Sequence, residues 1–140
     1  MKIDDLYECY PHKKSRVRYH IILVTKYRRK CLDSIRTYVF QSFTECSKHS
    51  DIKIHRMNID QDHIHFIISF PTKYSIDQTI RRMKQFSTNY IYTHCNEYIK
   101  KFYRKSKRIL WADSYFCSTI GLISESIVDE YIKNQGLHII

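Results

Sequence analysis

At 140 residues and 43% hydrophobic, the chain has the length for one domain with its own core and no covalent staples. No apolar run reaches eighteen residues and the charged start lacks a secretion signal, so the expectation is a soluble cytoplasmic protein without membrane contact. The net charge of +10 points to a polyanionic partner, and five cysteines standing singly argue against a disulfide frame or a zinc knuckle.

Met1 to Ser15 reads as a polar N-terminal arm, Val17 to Thr25 as a central strand, and Lys26 to Lys30 as a basic loop. From Leu32 to Lys48 apolar residues keep a helical period. Ile52 to Gln61 alternates as a second strand, and Asp62 turns into a third, Asp62 to Phe70, too rich in β-branched and aromatic residues for a helix. Ser75 with Gln78 opens a helix over Ile76 to Cys95 with a capping box. Asn96 to Arg108 is basic and carries no clear pattern. Ile109 to Gly121 holds a fourth strand, clearest in Tyr115 to Ile120, and 122–136 reads as a last helix. The order β-α-β-β-α-β predicts one α+β domain over 1–140, a ferredoxin-like, RRM-like antiparallel sheet with two helices on one face. Its first and third strands lie in the middle, and its second face is left open.

Alternation along the third strand sends Ile64, Phe66, Ile68 and Phe70 one way and His63, His65, Ile67 and Ser69 the other. Two imidazoles one pleat apart can grip a metal, although His-x-His alone also suits ordinary hydrogen-bonded histidines. The charge is clustered. Pro11 to Lys30 holds eight Lys/Arg and no acid, and Asn96 to Arg108 holds six against Glu97. Cations interleaved with Tyr19, Tyr27, Tyr98, Phe102 and Tyr103 suit phosphates and unpaired bases. Candidate DNA contacts are Lys26, Arg28, Arg29, Arg81, Arg82, Lys84, Lys100, Lys101, Arg104 and Lys105. In the last helix Tyr131 and Gln135, at i and i+4, share the face with Ile127, Val128 and Ile132 that must dock on protein.

The sequence resembles the single-tyrosine HUH transposases (TnpA type) of small insertion sequences that move as single-stranded DNA. The resemblance runs from Tyr19 to Gly136. Its carriers are Tyr19 to Arg29, Asp62-His63-Ile64-His65, Trp111 with Tyr115-Phe116 and Ser118 to Gly121, and Tyr131-Ile132-Lys133-Asn134-Gln135. It implies that His63 and His65 are a metal-binding pair, Gln135 the third ligand and Tyr131 the nucleophile. It also implies hairpin recognition at element ends, and a homodimer whose sites draw histidines from one subunit and the tyrosine from the other. Two nitrogens and a neutral amide oxygen suit Mg²⁺ or Mn²⁺, which would neutralise the phosphate that the tyrosine attacks. No general base for that phenol is evident in the sequence. Three rival readings use part of the pattern: a non-catalytic RRM-like nucleic-acid-binding module, a water-using metal hydrolase, and a domesticated relative acting on repeated genomic hairpins. Against the first, the third strand lacks the glycines of an RRM and has histidines where stacking rings would stand.

Overall fold

The computed structural model describes residues 8–10, 13–15, 17–104 and 106–120. Strands β1 (Glu8–Tyr10) and β2 (Lys13–Ser15) pair antiparallel, Cys9 opposite Lys14, so the expected polar arm contains a small sheet of its own. The main sheet is built from β3 (Arg18–Val24), β4 (Lys53–Ile59), β5 (His63–Ser69) and β6 (Phe116–Ile120). Its order is β4-β5-β3-β6 and every pairing is antiparallel, which is the ferredoxin-like arrangement with the first and third of these strands central. Helix α1 (Arg36–Lys48) joins β3 to β4; α2 (Ile76–His94) and the single turn α3 (Asn96–Ile99) follow β5.

Each element forms where local chemistry asks for it. The Ser75 hydroxyl accepts from the Gln78 backbone amide at 3.0 Å while the Gln78 side chain accepts from the Ser75 amide at 2.8 Å, satisfying two donors that α2 would leave orphaned. In β4 the apolar spacing lengthens from Ile54 to Met57, and there the register against β5 shifts by one residue. That bulge keeps Ile54, Met57 and Ile59 all against the core.

The core lies between the two long helices and one face of the sheet. Ile21 and Leu23 from β3, Ile64, Phe66 and Ile68 from β5, Val39 and Phe43 from α1, and Ile80, Met83 and Ile91 from α2 are all buried there. Phe43 meets Phe66 edge-on with ring centres 4.6 Å apart and leans on Trp111 at 6.0 Å. The Trp111 indole N–H donates to the buried Ser87 hydroxyl at 2.9 Å, so the polar end of that ring is satisfied within the core. Truncating Phe43 would remove the centre of this cluster, a loss of about 3–5 kcal/mol.

The other face is not open. His20, Ile22, His63, His65 and Ile67 are all below 8% exposed, so both sides of β5 are shielded from water. Part of that shielding is mutual, since the histidine rings pack on one another and Phe116 meets His20 edge-on at 5.4 Å. Among the described residues no helix is long and apolar enough to cross a membrane. Cys31, Cys46, Cys95 and Cys117 are free thiols, the first three buried.

Candidate active site

Antiparallel pairing sets the histidines of the second face. On β5, His63 stands opposite Val24 and His65 opposite Ile22, while His20 of β3 stands opposite Ile67. The His63 and His65 ring centres are 4.8 Å apart with planes at 81°; His20 lies parallel to His65 at 6.1 Å. Two imidazoles sharing one ion at bond lengths of about 2.1 Å have ring centres roughly 4.5–5.3 Å apart, so the His63–His65 spacing fits a common cation. His20 is a third histidine on this face that the sequence reading passed over. Strand parity was the available signal, because Tyr19 and Ile21 face the core and His20 therefore cannot.

On β5, Nε2 of His63 and Nδ1 of His65 are buried and make no hydrogen bond to any described residue. Buried polar atoms are nearly always satisfied, so orphans on adjacent rings indicate a missing partner. The rest of the site prepares them. Asp62 Oδ1 lies 2.7 Å from His63 Nδ1, and a carboxylate accepts only, so Nδ1 carries the proton and the Nε2 lone pair is free. Asp62 is itself held by the Arg28 guanidinium at 3.3 Å. Burial works against ionised Asp62, but His63 and Arg28 outweigh it and keep the carboxyl below its ordinary value. The Asp60 carboxylate, 3.7 Å from His63 Nε2, is too far to hydrogen-bond but adds negative potential for a cation. Burial, reinforced by His63 and His20, pushes His65 down to about 4, so it is neutral and able to ligate at physiological pH.

The segment after β3 locks this relay in place. Thr25 is tied to Asp62 through its amide, which donates to the Asp62 carbonyl at 2.9 Å, and its hydroxyl lies within 3.1 Å of the same carbonyl. Leu32 N–H donates to the Gln61 carbonyl at 3.0 Å. Between them Tyr27 and Arg28 take left-handed backbone angles, φ 59° and 53°, unusual for residues with a β-carbon. That turn delivers the Arg28 side chain to Asp62. The relay was readable only in part: Asp62 precedes His63 in sequence, but nothing there pairs either with Arg28.

The expected DNA contacts divide. Arg29, Lys100, Lys101 and Arg104 are exposed, with no carboxylate at ion-pair distance among the described residues. Lys26 pairs with Asp113 at 3.3 Å. Lys84, half-buried, is turned to the carbonyls of Ala112 and Asp113 at 2.7 and 3.1 Å, which fastens α2 to the segment before β6. Arg81 is exposed beside a cavity of about 690 Å³ that contains none of the histidines, and Arg82 donates to the His49 carbonyl at 3.1 Å. Lys105, Tyr131 and Gln135 lie outside the described residues. Among the described residues no three His, Cys, Asp or Glu side chains form a metal cluster. Several described tyrosines are made poorer nucleophiles. Burial raises Tyr92 and Tyr103, and a hydrogen bond to Asp77 raises Tyr115 to about 12.

A family profile described as "Transposase IS200 like" matches residues 13–135. The transposases for insertion sequence element IS200 from Salmonella typhimurium and Salmonella typhi are each 28% identical over 125 residues, 89% of this chain and 80% of theirs. Among solved structures, a chain from Deinococcus radiodurans described as a transposase superposes with a TM-score of 0.66 at 20% identity, covering 84% of this chain and 89% of that one. A REP-associated tyrosine transposase bound to a REP hairpin superposes with a TM-score of 0.59 at 14% identity, covering 87% of this chain and 67% of that one. At such identities the structural likeness speaks for the fold.

Proposed function

The chain belongs to the IS200-like transposase family, and from that premise we propose that it cuts and rejoins single-stranded DNA at hairpin-bearing element ends through a phosphotyrosine intermediate. One observation carries the reading: two buried, unbonded ring nitrogens on histidines 4.8 Å apart, one of them oriented by a carboxylate. His63 and His65, completed by Gln135, would hold one Mg²⁺ or Mn²⁺. Such a cation would supply positive charge to neutralise the scissile phosphate.

The remaining work belongs to the chain's own residues. Asp62 and Arg28 fix the tautomer of His63, and its burial keeps His65 neutral. The Tyr131 phenol loses its proton and its oxygen bonds to phosphorus in line. The bond from phosphorus to the 3′ oxygen breaks and that oxygen takes up a proton from solvent, balancing the one the phenol released to it, which leaves the 5′-phosphate on Tyr131 and a free 3′-hydroxyl on the other strand end. Attack by a 3′-hydroxyl on that phosphotyrosine reverses the step, so joining needs no ATP. Hairpin DNA is the partner assigned here, and the REP hairpin held by one structural relative supports it. The active unit is a homodimer.

The test is a labelled hairpin single strand from the ends of the element, incubated with Mg²⁺ or Mn²⁺ and run on a denaturing gel. Covalent protein–DNA adduct is expected with the native chain and none with Tyr131→Phe, whose fold should survive the loss of one oxygen. His63→Ala or His65→Ala should abolish cleavage yet leave binding. Cleavage without adduct would favour a water-using hydrolase, and full activity in excess EDTA would sink the metal.

A further inference from the structure

Neighbouring side chains on the left-handed turn go two ways. Arg28 reaches Asp62 and through it the histidines, whereas Tyr27 and Arg29 line a cavity of about 480 Å³ with Lys101, Phe102, Tyr103 and Arg104. Three of those residues are aromatic, three are cationic and none is acidic. A pocket of that size is in the roughly 300–1,000 Å³ range of small-ligand sites, room for one nucleotide rather than a duplex.

The walls are built, not incidental. The two stretches that form them, 27–29 and 101–104, are far apart in sequence, and tyrosine hydroxyls tie them together. Buried Tyr103 donates to the Lys26 carbonyl at 2.7 Å, and Tyr98 donates to the Cys31 carbonyl at 3.2 Å. The Thr25 hydroxyl donates to the Arg29 carbonyl at 2.8 Å, closing the turn from inside. Within this rigid frame Tyr27 is 57% exposed and left-handed, with Lys26 and Arg29 5.6 and 5.7 Å from its ring centre. A tyrosine held in such a backbone is strained, burial of its ring does not offset that cost, and strain of this kind concentrates at ligand sites. A displayed ring in a collar of cations has the chemistry of a stacking platform beside a phosphate clamp.

We infer that this pocket holds a single unpaired nucleotide of the DNA strand, its base stacked on Tyr27 and its phosphate between Arg29, Lys101 and Arg104. The inference rests on the DNA-processing reading above and gives it a second subsite, separate from the metal. It also accounts for the pairing of aromatic with basic residues in two distant segments, since stacking needs an unpaired base and the cations need its phosphate.

The probe is dT12 carrying one 5-iododeoxyuridine, bound to the full chain without metal, with affinity read by fluorescence anisotropy and ultraviolet crosslinks mapped by mass spectrometry. Crosslinks are expected on Tyr27 or Phe102. Tyr27→Ala should weaken binding about 5- to 150-fold, the range of one lost base stack, and Tyr27→Phe should retain it. Thermal unfolding checks that both variants fold. Crosslinks only outside the pocket, or native affinity in Tyr27→Ala, would overturn the pocket while leaving the transposase reading intact. No binding of dT12 by the native chain would overturn single-strand recognition itself, and the pocket with it.

Discussion

A carboxylate can only accept, and at His63 that single property selects the tautomer. With Asp62 Oδ1 at 2.7 Å the proton sits on Nδ1 and the other nitrogen is presented as a ligand. Asp62→Asn keeps the shape but offers an amide that can donate, and it also gives up the charge that Arg28 secures. Outer groups of this kind typically change metal affinity by about 10–100-fold, so Mn²⁺ titration calorimetry should show that loss in Asp62→Asn, and a smaller one in Arg28→Ala. Equal affinities in all three proteins would mean that the relay has no part in holding the cation. His65 yields a second prediction, on the metal-free chain. Its folded value of about 4 is below the ordinary 6.5, so between those pH values the unfolded chain takes up a proton that the folded one refuses. Its contribution to stability is therefore full above about pH 6.5 and drains away as the pH falls toward 4, by about 1–3 kcal/mol. Asp62, held beneath its own 3.8, titrates below that window. Denaturant midpoints should fall from pH 6.5 to 4 in the native chain and fall less in His65→Gln; parallel curves would refute the assignment.

Among the elements, those governed by local chemistry were legible in the sequence. The His strand, the capping box that opens α2 and the third-strand alternation all depend on residues within a few positions of one another, and each is found where it was read. The alternation read over Ile52 to Gln61 is broken by the β4 bulge, where two residues rather than one separate Ile54 from Met57. The basic stretch Asn96 to Arg108 had no readable pattern because its conformation is decided elsewhere: Tyr98, Tyr103 and Tyr92 anchor it by hydroxyl bonds to Cys31, Lys26 and Ile109. A tyrosine in a sequence does not announce which distant carbonyl it will find. The same limit separates the cations. Lys84 and Arg28 look like any other basic residue in the sequence, yet one binds α2 to a loop and the other serves His63. Arg29, Lys100, Lys101 and Arg104 remain exposed, and phosphate contacts are expected there, the first three serving as the test. Reversing those three charges should lower the slope of log K against log salt for single-stranded DNA by about 2, at roughly 0.7 for each phosphate neutralised. An unchanged slope in anisotropy titrations would show that the DNA runs elsewhere.

At the scale of the whole molecule the question is where the nucleophile comes from. No His, Cys, Asp or Glu among the described residues joins His63 and His65 in a group of three that could hold a metal ion. The residues proposed to complete the site, Tyr131 and Gln135, belong to 122–136, and a single glycine, Gly121, precedes that segment after β6. Glycine leaves the direction of departure open, so the segment is not bound by sequence to return to its own sheet. Its Tyr131 side also carries Ile127, Val128 and Ile132, which require burial against protein. A two-fold dimer satisfies both demands at once, because a segment that crosses to the partner is matched by one that crosses back. We therefore expect composite sites, histidines from one subunit and tyrosine with glutamine from the other. Mixing His63→Ala protein with Tyr131→Phe protein, each inactive alone, makes the test once subunits have exchanged. In a crossed dimer one of the two sites regains intact histidines, tyrosine and glutamine, so cleavage should return to about half the native level per heterodimer. In an uncrossed dimer every site lacks one part, and isolated heterodimers that stay inactive would return the tyrosine to its own subunit.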